Sequence, residues 1–367
     1  MPGRAWPNGS NSSEETDGDQ MRTLEQFLRH PPQIPMATVW LLNDLSEYRG
    51  KQTLFTKQSP QKLARLRDSA IIESAVASNR IEGVEIDRRR VGTVVFGKGI
   101  LRDRNEQEVR GYQSALAWIH TEAQRLPLNV ETVLRLHALS HPDGYDSGKF
   151  KEQDGEIIEK HPDGRITLRF KPLSAKETPA AMERTCRLFD RLTQEREIPP
   201  LVVWAAMNLD FLCVHPFRDG NGRVSRLLLL LSLYHQGFTA GRYISLERII
   251  EQSKIRYYET LQQSSRAWHD GKHDPWPYTN FLLYTLKEMY REFEVRYENT
   301  SLPPGEKTEV VQRAIASLEG EFHVTELQKR CPEVSLDMVR KVLKDMSLAK
   351  SVKCLGRGKH AKWKRIG

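Results

Sequence analysis

The stretch VHPFRDGNGRVSR, residues 214 to 226, brings together the residue types that nucleotide chemistry needs. Unperturbed imidazole has a pKa of roughly 6.5, so a neutral His215 can take a proton from an attacking hydroxyl near neutral pH. Asp219 is the nearest carboxylate, and the Mg²⁺ that accompanies phosphates usually takes one or two carboxylates beside its waters. The stretch therefore predicts a site that binds a magnesium nucleotide and deprotonates a hydroxyl beside it.

Gly220, Asn221 and Gly222 predict a tight turn that enters a helix. Glycines permit positive φ and a close approach of the backbone, and successive amides at a helix N-terminus bind anions. The Asn221 amide can donate to a phosphate oxygen. Arg223 and Arg226 stand three residues apart on one helical face, a spacing suited to forked contacts with two phosphate groups. The turn is therefore predicted to hold phosphates.

Two apolar segments without glycine flank this stretch, residues 198 to 213 and residues 223 to 236. Such composition predicts two buried helices, which would hold the histidine and the turn in place. The alternative is an ordinary helix-turn-helix in which His215 caps a turn and the arginines are solvated.

The string HPFRDGNGR followed by VSR resembles the motif HxFx(D/E)GNGRxxR of the Fic (filamentation induced by cAMP) family at every fixed position. The resemblance implies a mainly α fold, a Fic-type helical bundle with a β-hairpin flap. It also implies that AMP is transferred from ATP to a protein hydroxyl while pyrophosphate leaves. By motif position it implies these roles: His215 as general base, Phe217 as buried anchor, Asp219 as Mg²⁺ ligand, Gly220, Asn221 and Gly222 as phosphate holders, Arg223 as phosphate clamp, and Arg226 as the contact to the γ-phosphate.

A helix predicted over residues 60 to 78 ends in SNRIEG, and Ser78, Glu82 and Gly83 resemble the family's inhibitory motif (S/T)xxxE(G/N). The resemblance implies that Glu82 pairs with Arg226 and keeps that arginine, and hence the γ-phosphate, out of the productive arrangement. Its place before the catalytic core indicates a class II Fic pattern. A carboxylate facing Arg226 would also satisfy a cation that otherwise binds phosphate. The alternative is a helix that simply stops at Gly83.

Two further stretches extend the resemblance. Residues 148 to 172 predict a β-hairpin around HPDGR, and Gly148 to Lys151 is similar to the family's G-x-(F/Y)-R, which precedes a flap that guides the target, with Lys in place of Arg. Tyr257 and Tyr258 resemble RxxYYxxL stretches near the nucleotide, where one tyrosine can face the adenine or ribose. The alternatives are a purely structural hairpin and a pair of core tyrosines.

The composition divides the chain into four parts: a disordered tail at residues 1 to 22, a Fic domain with an N-terminal helical region at 23 to 298, a linker at 299 to 306, and a winged-helix-like domain at 307 to 367. The last part has a plausible phosphate footprint, with Arg340, Lys341 and Lys344 on the predicted recognition helix and Lys353, Arg357, Lys359, Lys362, Lys364 and Arg365 near the wing. DNA is one partner that this domain can bind, and a protein is the other.

The net charge of +8 is concentrated in residues 347 to 367, which hold seven Lys or Arg and no acid. The four cysteines are widely spaced, and no signal peptide or membrane-spanning run is evident, so we expect a cytoplasmic location without a membrane partner.

The favoured function is a protein adenylyltransferase that uses ATP and Mg²⁺ and acts on a Ser, Thr or Tyr hydroxyl of a protein. The alternatives are a DNA-binding transcriptional regulator that uses the Fic unit as a nucleotide sensor, and a Fic enzyme with another donor or with de-AMPylating activity. A homodimer stays open.

Overall fold

The computed structural model describes residues 22–58, 60–97, 99–142, 144–160, 164–300, 305–318, 320–331, 334–356 and 361–366. The predicted tail before Arg22, most of the predicted linker, the hairpin turn at 161 to 163, and Arg357 and Lys359 lie outside the described residues. The chain forms two compact units, which meet between Arg296 and Tyr297.

The first unit is a helical bundle, as predicted. Its helices are α1 (Thr23–Arg29), α2 (Met36–Gln58), α3 (Pro60–Ile81), α4 (Val91–Phe96), α5 (Arg104–Glu122), α6 (Val130–Ser140), α7 (Thr178–Glu195), α8 (Pro200–Val214), α9 (Asn221–His235), α10 (Leu246–Gln252), α11 (Lys254–Ser265) and α12 (Trp276–Asn299), with short 3-10 turns at Arg88–Arg90 and Ala240–Arg242. Across the described part of the chain, every helix is too short or too polar to cross a lipid bilayer.

Helices α8 and α9 form the centre of this bundle. Every residue of α8 after Pro200 is buried, and the leucines at 227 to 231 in α9 are almost fully excluded from solvent. Burial on all sides follows from sequences that are apolar around the whole helix. The prediction of two buried helices around the candidate site is confirmed, and the turn between them has a rigid support on both sides.

The predicted hairpin is present as strands β1 (Ile157–Lys160) and β2 (Ile166–Phe170). The strands are antiparallel, and Ile158 faces Leu168 across the ladder. The register shifts between Ile157 and Ile158, and such a bulge increases the local twist of a hairpin.

The second unit has its own core. Its elements are α13 (Glu306–Ala316), β3 (Glu321–His323), α14 (Val324–Arg330), α15 (Leu336–Leu348), β4 (Val352–Cys354) and β5 (Lys362–Arg365). The three strands form an antiparallel sheet in the order β3-β5-β4. Val311, Phe322, Leu327 and Leu343 are among the residues buried between the helices and the sheet. Ser335 caps α15, because its hydroxyl accepts from the N–H of Met338.

Candidate active site

His215 is the residue at which α8 ends, and its backbone adopts a left-handed conformation with φ 51°. Its Nδ1 atom lies 3.3 Å from the carbonyl oxygen of Leu212. A carbonyl only accepts hydrogen bonds, so Nδ1 carries the hydrogen and the lone pair of Nε2 is left to accept a proton. Burial lowers the pKa of His215 to about 4. The imidazole is therefore neutral at neutral pH, in the tautomer that a base requires.

Lys151 holds the backbone of this histidine. Its ammonium donates to the carbonyl oxygens of Val214 and His215, both at 3.0 Å, and its backbone N–H donates to Pro216 at 2.9 Å. A cation at the C-terminus of a helix is favourable because the last carbonyls there are otherwise unpaired. Burial lowers the pKa of Lys151 to about 8. The resemblance marked this position only as a lysine in place of arginine, so its contact with the histidine was not predicted.

The loop after His215 is closed by Asn221. The backbone N–H of Phe217 donates to Asn221 Oδ1 at 2.9 Å, and Asn221 Nδ2 donates to the carbonyl of Phe217 at 2.7 Å. The Asn221 side chain therefore closes its own loop, and its predicted contact with a phosphate stays a prediction. Phe217 is buried, as predicted for an anchor.

His137, on α6, is a second residue whose contribution was not predicted. Its ring stacks on Phe217 at 3.8 Å between centroids, and its Nδ1 accepts from the N–H of Gly148 at 3.0 Å. Its Nε2–H therefore donates to the carbonyl of Asp219, 3.1 Å away. The histidine joins the segment before the flap to the loop before α9. A lone histidine in an apolar helix carries no signal of this kind in the sequence.

The predicted anion cradle lies at the N-terminus of α9, where the first amides have no partner within the helix. Gly220 has φ 81°, which glycine adopts without strain. A Cβ atom at Gly222 would overlap Oε1 of Glu82 and would lie 3.1 Å from Nη1 of Arg226. The Glu82 carboxylate thus occupies the space beside the turn, and a side chain at position 222 would displace it.

Glu82 forms the predicted ion pair with Arg226. Oε1 of Glu82 accepts from Nη2 of Arg226 at 2.8 Å. Ser78 completes the contact, since its hydroxyl accepts from Nε at 2.9 Å and its carbonyl from Nη2 at 2.8 Å. The Arg226 guanidinium is fully buried, and its Nη1 atom has no hydrogen-bond partner. One donor of this cation is therefore engaged by neither Glu82 nor Ser78.

The end of α3 sets the position of Glu82. Gly83 has φ 83°, its N–H donates to the carbonyl of Arg80, and the N–H of Val84 donates to the carbonyl of Asn79, each at 3.0 Å. These two bonds define a Schellman turn, in which the residue before the glycine is the helix cap. Gly83 therefore both ends the helix and turns Glu82 toward α9.

Arg223 and Arg226 pair with different helices, and the prediction that both contact phosphates stays a prediction. Nη1 of Arg223 lies 2.9 Å from Oε2 of Glu108 on α5, whereas Arg226 contacts α3. The Arg223 side chain is 2% exposed. Because Glu108 is equally buried, the pair compensates two charges that would be costly to bury alone.

Asp219 lies on the other side of the turn from His215. One carboxylate oxygen accepts from the N–H of Gly220 at 2.6 Å, and the other lies 3.2 Å from Nη2 of Arg104. Asp219 lines a cavity of about 540 Å³ together with Arg104, Glu108 and His141.

A separate cavity of about 430 Å³ is lined by several of the other predicted residues. Its lining includes Glu82, His215, Gly222, Tyr257, Tyr258 and the flap residues Ile157, Ile158, Arg169 and Phe170. Tyr257 is also core, since its ring packs at 5.8 Å from Phe281, while Tyr258 lies under the Arg169 guanidinium. A tyrosine that packs in the core and a tyrosine that faces the nucleotide are therefore compatible in this structure.

Comparison with known proteins places this site in a family. Residues 127–233 match the model of the Fic/DOC family. The protein adenylyltransferase Fic of Nematostella vectensis is 25% identical over 261 residues, which are 67% of this chain and 55% of that protein. The protein adenylyltransferase fic-1 of Caenorhabditis elegans is 29% identical over 154 residues, 40% of this chain and 27% of that protein. The chain thus spans about half or less of the length of these relatives.

Solved structures share the fold. A Fic family protein from Desulfovibrio desulfuricans G20 has a TM-score of 0.62 and 22% identity, and the match covers 92% of this chain and 98% of that one. A Fic domain containing signaling protein from Bacteroides thetaiotaomicron VPI-5482 has a TM-score of 0.58 and 22% identity, with 70% and 98% covered. Residues 127–233, which contain the candidate site, thus match the Fic/DOC family, and the solved neighbours share the fold of the chain.

Proposed function

We propose that this chain is a protein adenylyltransferase, which transfers AMP from ATP to a Ser, Thr or Tyr hydroxyl of a protein. The names of its curated relatives support this activity. The observation that carries the proposal is that the neutral imidazole of His215 and the amide turn at Gly222 line one cavity. A base and an anion site that share a cavity can hold a hydroxyl beside a phosphate.

In the proposed reaction Nε2 of His215 takes the proton of the target hydroxyl. The hydroxyl oxygen then forms a bond to the α-phosphorus, and the bond from phosphorus to the pyrophosphate oxygen breaks. The amides at the start of α9 and the free Nη1 donor of Arg226 would hold phosphate oxygens. Most of the rate would come from positioning and from donors that are oriented before the substrate arrives.

Asp219 fits the role of a Mg²⁺ ligand. Its side chain is 55% exposed and each of its oxygens retains a lone pair, so a hard cation can reach it. Burial raises its pKa, but Arg223, the N–H of Gly220, His141 and Arg104 outweigh burial and hold the pKa below its ordinary value. The carboxylate is therefore ionised at neutral pH. Mg²⁺ bound there would offset the charge of the phosphates.

We also propose that the resting chain is autoinhibited, in the class II manner. The Glu82 carboxylate lies where a phosphate would approach Gly222, and it engages Arg226. Removing the carboxylate would free both the space and the cation. ATP binding in the productive arrangement would then no longer compete with an internal ion pair.

Labelled ATP tests both parts of the proposal. The chain is incubated with Mg²⁺, ATP labelled at the α-phosphate, and a protein lysate. Loss of one charge-assisted bond predicts that Glu82→Gly increases labelling on the order of 10- to 100-fold. Glu85→Gly, an exposed acid three residues further along, is the matched control and should label as the wild type does. His215→Ala should abolish labelling in both backgrounds.

Mass spectrometry of the labelled proteins identifies the transferred group. A mass other than AMP would establish another donor, and loss of AMP from pre-labelled protein would establish the reverse reaction. Label that persists in His215→Ala would contradict the assignment of the base.

A second candidate function concerns the C-terminal unit, which we propose to be a winged helix that binds DNA. Exposed basic side chains lie on α15 and on the β4-β5 hairpin: Arg340, Lys341, Lys344, Lys353, Lys362, Lys364 and Arg365. Phosphate contacts predict binding to duplex DNA that weakens steeply between about 50 mM and about 200 mM salt. DNA binding that responds to ATP without any labelling of protein would favour a regulator with a nucleotide sensor.

Sedimentation tests whether the chain forms a homodimer. Cell fractionation tests the expected cytoplasmic location.

A further inference from the structure

Two carboxylates and two guanidinium groups form a closed network beside the turn. Arg104 contacts both acids, with Nε 2.7 Å from Glu108 and Nη2 3.2 Å from Asp219. Arg223 also contacts both, at 2.9 Å from Glu108 and 3.6 Å from Asp219. The formal charges of the four groups cancel. The network is therefore complete without any added cation.

The same place has the donors of a cation site. One ligand atom from each of Glu108, His141 and Asp219 lies within 4.8 Å of the others. The arginines stand where a cation would otherwise balance these acids. A divalent ion that arrives at Asp219 would add charge to a neutral cluster, and the added charge favours the departure of one arginine.

Exposure determines which arginine can leave. The side chains of Arg223 and Glu108 are 2% and 6% exposed, so breaking their pair would leave a buried charge without a partner. The side chains of Arg104 and Asp219 are 65% and 55% exposed, and water can replace either partner. Glu108 stays four residues after Arg104 on α5 and keeps its guanidinium close by when the contact with Asp219 opens.

We propose that Arg104 is a displaceable counter-ion of Asp219, which competes with Mg²⁺ and so sets the Mg²⁺ concentration at which the site loads. The inference rests on the proposed function in one respect, the assignment of Asp219 as the Mg²⁺ ligand. Arg104 is a positioning residue in this scheme, and it lies outside the motif. Because an exposed ion pair is weak, its removal should strengthen the contribution of Mg²⁺ by about two- to fivefold.

The test measures binding rather than activity. The ligand is α,β-methylene-ATP, in which the bond that adenylyl transfer would break is blocked. Full-length chains that carry Glu82→Gly are titrated by calorimetry, once with Mg²⁺ and once with EDTA. The dissociation constant in EDTA divided by that in Mg²⁺ gives the coupling between metal and nucleotide. Direct effects of a substitution on the phosphates largely cancel in this ratio.

Three variants are compared in that background. Arg104→Gln removes the proposed competitor. Arg218→Gln is the matched control, because Arg218 lines the same cavity and contacts Tyr145 without an ion pair to Asp219. Asp219→Asn removes the proposed metal ligand.

The proposal predicts that the ratio rises about two- to fivefold in Arg104→Gln relative to Arg218→Gln. Equal ratios in these two variants would show that the contact between Arg104 and Asp219 does not affect Mg²⁺ binding, and would overturn the role of Arg104. A lower ratio in Arg104→Gln would also overturn it. Asp219→Asn should bring the ratio close to one. If it leaves the ratio unchanged, the metal assignment fails, and the inference about Arg104 fails with it.

Discussion

The protonation state of His215 is a consequence of where α8 ends. The helix before it is buried throughout, so the ring that caps it is desolvated, and burial lowers its pKa to about 4. Lys151 lowers the pKa further, while Glu82 raises it. A base that stays neutral well below pH 7 is the result.

We therefore expect transfer by the Glu82→Gly chain to persist into mildly acidic solution. With a pKa of about 4, kcat/KM should change less than about twofold between neutral pH and about pH 5. An ordinary imidazole would lose about 25-fold over the same range, because only a few per cent of it would remain neutral. Initial rates across this range, with circular dichroism to verify folding, check the prediction. A loss of tenfold or more would show that the ring is not desolvated as described.

The same shift predicts how stability depends on pH. The unfolded chain binds a proton at His215 below about pH 6.5, whereas the folded chain does so only near pH 4, so stability is lost as the pH falls through this window. His120 and His137, with pKa values lowered by burial to about 3 and about 4, act in the same direction. Urea unfolding should consequently show a shallower pH dependence in His215→Ala than in the wild type.

Lys151 offers a second prediction at the level of single residues. Lys151→Met keeps the length of the side chain but leaves two carbonyls of α8 without their donor. We expect kcat to fall on the order of ten- to a hundredfold with little change in KM, because the base is displaced and substrate contacts remain. The pKa of His215 should rise, since a neighbouring cation is lost, and NMR titration of the imidazole measures it.

Lys149→Met is the matched control for this change. Lys149 is exposed and lies two residues before Lys151, so Lys149→Met removes the same charge without removing a contact to α8. Lys151→Arg, which restores the family's own residue, should recover most of the rate. Equal behaviour of the two Met variants would contradict a positioning role for Lys151.

The side chains that were predicted from the sequence are those whose chemistry is evident from their type and spacing. His215, Gly222 and the pair between Glu82 and Arg226 belong to this group. The sequence did not predict that Asn221 closes its own loop, because an amide serves a phosphate and a loop equally well. Other contributions arise only when α5, α6 and the loop before α9 pack together, and no local sequence pattern predicts such contacts. They are those of Lys151, His137, Glu108 and Arg104.

Among the elements, the end of α3 holds the carboxylate on which the proposed autoinhibition depends. Its Schellman turn fixes Glu82, and the turn depends on the positive φ of Gly83. A Cβ atom at Gly83 would meet nothing within 4 Å, so substitution there acts on the backbone and not through a clash.

Gly83→Ala should therefore destabilise the chain by about 1 kcal/mol and raise its resting transfer activity toward that of Glu82→Gly. Gly92→Ala is the matched control, since that position in α4 is equally open but has no positive φ. It should leave activity unchanged and should not destabilise the chain. Urea unfolding and labelling measure the two effects. If the resting activity of Gly83→Ala equals that of the wild type, the turn at Gly83 is not needed for inhibition.

The elements were predicted wherever the pattern was strong. The apolar segments around the motif became α8 and α9, and the two strands of the hairpin lie on either side of the Pro-Asp-Gly signal. The end of helix α2 at Gln58 is not evident from the sequence, because the second half of the helix is mixed in polarity and has no clear period. Helix α4 was not predicted, since its sequence VGTVVF is short and rich in β-branched residues, which favour strands.

At the scale of the molecule, the chain consists of two units with separate cores. The candidate active site is built entirely from the first unit, from Ser78 to Ser265. The second unit buries its own cluster around Phe322 and Leu343. Catalysis and DNA binding, as proposed, are thus assigned to different units.

A chain that ends at Asn299, after α12, should therefore keep the transfer activity of the Glu82→Gly variant within about twofold, while it loses binding to DNA. Labelling and fluorescence anisotropy on the truncated and full-length chains check the two halves of this prediction. A large loss of labelling in a truncated chain that remains folded would mean that the C-terminal unit contributes to the reaction.

Because Gly222 has no side chain, the proposed inhibitory contact responds differently to changes on α3 and to changes on α9. A methyl group there would evict the Glu82 carboxylate, but it would also obstruct the turn that the substrate needs. Constitutively active forms can therefore arise by changes on the α3 side of the contact and not on the α9 side. Selection can therefore adjust the strength of the proposed inhibition without altering the helix that would hold the nucleotide.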